Sequence, residues 1–281
     1  MNNSTVNYTT TEAFTNPTTH FTGILDSLNI CVYIISLLFG LPTHSYVTWL
    51  IITGTGRGVA SKFFILNLSV CEIGISLYCF VYAISYWSLS VSTIKLFFVG
   101  LTITGRPLFQ CLICVERYLA VLHPVTFLKY KPLRYRVFCC TVAWIICLGS
   151  CVFCMYILGE DDMHLYTWFF SLQFLFYLSI QLFCLVAVLR ALKQSGPGER
   201  GGERNEENHM KRRAFHLILI TTVSMAIIYG PYLIIGFLTI MIKQLIQPLW
   251  FIGLTCYVLA GFVHPLLHLH RAGKVSCLRL L

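Results

Sequence analysis

Seven apolar stretches, at about residues 24–52, 63–86, 91–122, 135–158, 165–192, 213–242 and 248–270, constrain this 281-residue chain more than any other feature. Each exceeds the ~20 residues that a helix rising ~1.5 Å per residue needs to cross about 30 Å of hydrocarbon. In that medium a spanning segment must satisfy its own backbone N–H and C=O groups, so runs of this length read as helices. The chain is 57% hydrophobic and 11% charged, with a mean hydropathy of +0.75. A soluble domain carries about 25% charged residues. The implied fold is an all-α membrane protein: a seven-transmembrane helix bundle over residues 24–270, a polar segment 1–23 before it and a short tail 271–281 after it.

Charge orients the bundle. All but Lys95, Arg106 and Lys243 of the 20 Lys and Arg residues lie after spans one, three, five and seven. By the positive-inside rule the N-terminus is then outside and the tail is cytoplasmic. The net charge of +9 implies contact with membrane lipid and a cytoplasmic partner. Nucleic acid is not implied, because there is no soluble basic domain to bind it. Residues 1–23 lack a basic n-region and an apolar h-region, so span one is expected to act as the insertion signal. Asn2, Asn3 and Asn7 each begin an N-x-[ST] sequon on the outside and are the glycosylation sites to test. The glycine-rich, charged run Ser195–Asn208 reads as a flexible cytoplasmic loop over about 194–210.

Of the 13 cysteines, most fall inside spans, where cysteine acts as a small hydrophobe. Cys277, beyond the last span, is either a palmitoylation site or a free thiol. No nucleophile–base pair or metal-ligating cluster can be assembled, so neither an enzyme nor a cofactor is expected.

Charge inside the membrane is costly, at least ~2.5–3.5 kcal/mol per group near the centre, and each instance needs a reason. Glu72 lies in the middle of span two and Arg106 in the middle of span three. At similar depth they form a buried ion pair, or else Glu72 is protonated and Arg106 faces a wet cavity. Glu116-Arg117-Tyr118 ends span three; it is either an interfacial anchor or a switch that meets a partner. Pro107, Pro231 (after Tyr229 and Gly230) and Pro265 each remove a helical hydrogen bond and are expected to bend or loosen their spans. His44, His264 and His268 lie in the inner halves of spans one and seven, where interhelical hydrogen bonds explain them better than a metal does.

Taken together, these motifs resemble a rhodopsin-like (class A) G-protein-coupled receptor over about residues 24–275. Glu116-Arg117-Tyr118 matches that family's D/E-R-Y. Asn67-Leu68-Ser69-Val70, Trp144, Pro231 and Pro265 match its span-two, -four, -six and -seven positions. The run from Cys114 to Pro124 looks most like the purinergic and protease-activated branch, especially its divergent fish receptors. The resemblance implies that a ligand enters from outside between spans three, five, six and seven. It also implies that Arg117 meets a heterotrimeric G protein when span six moves outward. Val99 stands where amine receptors carry an aspartate, so the ligand is not expected to be a biogenic amine. Lys95 and Lys243 near the outer face either contact an anionic ligand or reach the headgroups.

The departures from the family are as specific. Its span-one Asn is His44, its span-two Asp is Glu72, and its span-three Ser is Arg106, so a guanidinium is expected where such receptors hold sodium. The aromatic residue before the span-six proline is Tyr229. The N/D-P-x-x-Y motif reads His264-Pro265-x-x-His268, and Leu185 replaces a span-five tyrosine. Ser92 and the cysteine-free loop 159–164 take the place of the outer disulfide. These changes keep a second reading open: a receptor-shaped scaffold or trafficking protein that signals weakly.

Overall fold

The computed structural model describes residues 27–53, 62–85, 91–130, 133–160, 162–194, 202–242, 247–262 and 265. Asn2, Asn3, Asn7, Lys243, His264, His268 and Cys277 lie outside the described residues. The helices are α1 (Ser27–Thr53), α2 (Phe63–Ser85), α3 (Ser92–Leu122), α4 (Pro124–Tyr130), α5 (Leu133–Gly159), α6 (Met163–Gln194), α7 (Gly202–Ile242) and α8 (Gln247–Gly261). Six of them (α1, α2, α3, α5, α6 and α7) are long and apolar enough to cross a membrane. The 15-residue α8 lies in the seventh apolar stretch. Among the described residues there is no strand. The chain is a multi-pass helical membrane protein built as a seven-helix bundle.

Helix α3 is the axis of the bundle. It packs against α2, α4, α5, α6 and α7. In its apolar stretch 78% of residues are buried, against 50% or less in the other long helices. Hydrocarbon gives no hydrophobic drive for helices to associate, so close packing of small residues has to do it. Gly100 and Gly105 allow that approach. A Cβ on Gly100 would overlap the Cys151 backbone, and one on Gly105 would overlap the Cys71 sulfur. Cys71, Cys147, Cys151 and Cys154 line these seams, all buried. The twelve described cysteines are free thiols. On the outside of the bundle, Phe138, Ile145, Leu172, Phe176, Phe183 and Ile234 are each more than half exposed. An apolar exterior of this kind is suited to lipid.

One local expectation changes. The loop over about 194–210 is shorter than its composition suggests, because α6 runs to Gln194 and helix resumes at Gly202. Residues 203–213 contain no glycine or proline and are rich in Glu, Lys and Arg, all good helix formers. Glutamates near the new N-terminus favour the helix dipole, and Glu207 stands four residues before Lys211. Pro107 and Pro231 lie inside helices that continue on both sides of them. A π-helical turn occurs at Ser36–Gly40 in α1, where the wider turn sets buried Gly40 against the Ser76 hydroxyl.

Candidate functional site

Glu72 and Arg106 meet in the middle of the bundle. Arg106 donates from Nε to Glu72 Oε1 at 2.5 Å and from Nη2 to Oε2 at 2.7 Å. This is a two-pronged guanidinium–carboxylate contact, the strongest form of such a bond. Both side chains are buried. His44 on α1 places Nε2 4.0 Å from Glu72 Oε2. On α8, a Cβ at Gly261 would stand 3.0 Å from Arg106 Nη2, so a hydrogen atom is what fits there. Four helices therefore converge on one charge pair. The space beside it is about 10 Å³, roughly that of a single water.

At the basic end of α3, the Glu116 carboxylate binds Arg136 Nη2 at 2.6 Å, across to the first turn of α5. Adjacent residues on a helix do not face each other, and the Glu116 carboxylate reaches across to α5. The Nε of Arg117 is buried and has no hydrogen-bond partner among the described residues. Tyr118 shares a 3.1 Å hydrogen bond with His123 Nε2, and its ring packs 5.6 Å from that of Phe183. Nearby, Cys114, Cys184, Val188 and Ile218 form a small apolar core between α3, α6 and α7, with Leu185 against it. Arg136 was legible only as one positive charge among several in a loop, because nothing local marks a partner twenty residues away.

Toward the opposite end a cavity of about 240 Å³ opens between five helices. Val99, Thr102 and Ile103 of α3 form one wall; Tyr166, Thr167 and Phe170 of α6 face Tyr229, Tyr232 and Gly236 of α7. Tyr33 of α1 and Tyr78 of α2 complete it. The Tyr33 ring sits 4.1 Å from that of Tyr82 and edge-on to Tyr78 at 5.9 Å, which ties α1 to α2. Lys95 holds its ammonium 5.2 Å from the Tyr82 ring centre, a cation–π distance. The Tyr229 hydroxyl donates to the Thr102 carbonyl at 3.3 Å, and its ring packs near Phe170 and Phe174.

Trp144 and Asn67 join α5 to α2. The Trp144 indole donates to Asn67 Oδ1 at 2.9 Å, while Asn67 Nδ2 donates to the Phe63 carbonyl at 2.9 Å. Pro265 is buried. The described residues hold no cluster of three or more metal-ligating side chains.

No family model matches the chain. Its relatives among curated proteins include human chemokine XC receptor 1, 26% identical over 216 residues, covering 72% of this chain and 62% of that protein. The rat uracil nucleotide/cysteinyl leukotriene receptor is 23% identical over 233 residues, covering 75% of this chain and 66% of that protein. Rat hydroxycarboxylic acid receptor 2 is 23% identical over 221 residues, covering 70% and 59%. The matched part of the chain spans just under two thirds of the length of the first two relatives. These relatives are class A G-protein-coupled receptors, and the similarity of the chain to them, with its apolar helices, is consistent with a divergent rhodopsin-like receptor.

Proposed function

We propose that the chain carries a signal from a ligand outside the cell to a heterotrimeric G protein, with Arg117 as the residue that meets the G protein. One observation carries this reading. The 31-residue helix α3 presents Val99 and Thr102 to a cavity near one end and Arg117 at the other, with Arg106 locked to Glu72 between them. In this reading the protein lies in the plasma membrane, and the asymmetry of Lys and Arg supports an orientation with the cavity end outside and the Arg117 end in the cytoplasm. Val99 in the cavity wall offers no counter-charge to an ammonium, so the ligand is not a biogenic amine. The ligands in the relatives' names differ among themselves (a chemokine, a uracil nucleotide or cysteinyl leukotriene, a hydroxycarboxylic acid), so similarity sets no ligand class for this chain.

The test is a G-protein dissociation panel in cells expressing the chain. Basal dissociation of at least one G protein is expected, with its loss in Arg117→Ala at equal surface expression. Flat traces across all G-protein families, with the chain at the surface, would overturn the reading. That result would favour the scaffold, a reading supported by Leu185, which packs as plain apolar filling where the family carries a tyrosine.

A further inference from the structure

We infer that the cavity between α1, α2, α3, α6 and α7 takes an uncharged small molecule built on a ring with one hydrogen-bonding group. The inference rests on the proposed receptor role only in treating this cavity as the ligand's seat. Its walls are chemically uniform. Tyr33, Tyr78, Tyr166, Tyr229 and Tyr232 supply ring faces and phenol groups, and the remaining polar side chains are the hydroxyls of Thr102 and Thr167. None of the described lining residues is ionic or a histidine.

Three charges lie within four residues of the walls in sequence, and each is engaged: Asp162, four residues before Tyr166, accepts from the Leu165 N–H at 2.9 Å. Arg106, four residues after Thr102, is held at two points by Glu72, so the pair offers the cavity little net charge. Lys95, four residues before Val99, lies against the Tyr82 ring and is not among the lining residues. A carboxylate, phosphate or ammonium placed here would lose its hydration without gaining a counter-ion. A neutral ring instead meets aromatic edges and faces, and its single polar atom meets a phenol that both donates and accepts. At about 240 Å³ the space is below the ~300–1,000 Å³ usual for ligand pockets, which limits the ligand to fragment size.

The experiment compares three probes sharing one ring, 3-phenyl-1-propanol, 3-phenylpropanoate and 3-phenylpropylammonium, at equal millimolar concentration on the purified full-length chain. Thermal unfolding should show a Tm rise of about 2 °C or more with the alcohol and none with either ion. Val99→Trp, which fills the cavity, should abolish the rise. If that variant does not fold, saturation-transfer NMR on the unmodified chain should give ring signals for the alcohol alone. An ion that binds as well as the alcohol overturns the inference, as does a shift that survives Val99→Trp or no binding by any of the three. Because no G protein is present, such a failure leaves the signalling reading standing. A flat G-protein panel together with selective binding of the alcohol would overturn signalling and leave the ligand class intact.

Discussion

Glu116 and Arg136 close a 2.6 Å ion pair between the end of α3 and the start of α5, and Arg117, one residue along, has no partner for its buried Nε among the described residues. The acid of the E-R-Y motif thus braces two helices.

Breaking that brace should cost stability. Both side chains are nearly buried, at 11% and 6% exposure, and removing one member of a buried pair costs roughly 3–5 kcal/mol by leaving the other charge unmatched. Arg136→Gln is therefore expected to lower the unfolding temperature of the purified chain, and adding Glu116→Gln should recover most of the loss.

The Glu72–Arg106 pair makes a parallel prediction deeper in the bundle. Glu72→Gln strands a guanidinium between α2, α3 and α8 and should reduce surface expression severely, by the same ~3–5 kcal/mol reasoning. Combining it with Arg106→Gln should restore part of the expression, counted by flow cytometry. Because the carboxylate is already held at two points by Arg106, replacing sodium with N-methylglucamine should leave basal signalling unchanged.

Two glycines should respond oppositely to alanine. A methyl group at Gly100 meets the Cys151 backbone, which cannot rotate away, so Gly100→Ala should destabilise the chain by about 1–3 kcal/mol. Gly149, on the neighbouring α5, has nothing within 4 Å of a Cβ, and Gly149→Ala should be neutral or stabilising by about 0.5–1 kcal/mol. Thermal unfolding of the two variants side by side decides it; equal effects would mean that the α3–α5 seam is not set by Gly100.

Trp144→Phe keeps the ring near Phe109, 5.3 Å away, and removes the donor to Asn67 Oδ1. An acceptor left unsatisfied in a buried setting costs about 1–3 kcal/mol. A fall in unfolding temperature of that size is expected, and Asn67→Leu in the same background should regain part of it, since both polar groups are then gone.

Seven spans, an all-α bundle and the asymmetry of basic residues were determined by the sequence alone, because hydrocarbon thickness and the cost of bare backbone polar groups act on any chain locally and in order. The rarity of charge inside the spans likewise singled out Glu72 and Arg106 before any geometry was known. What the tertiary structure decided were the choices between partners of equal chemistry. Glu116 had Arg117 beside it in the chain and Arg136 twenty residues away, and helix rotation gave it the distant one. The cavity likewise gathers Tyr33 and Tyr78 from α1 and α2 with residues of α3, α6 and α7, a grouping no spacing along the chain specifies. Spacing along a chain sets which face of a helix a residue occupies, but only the packing of helices sets what that face meets.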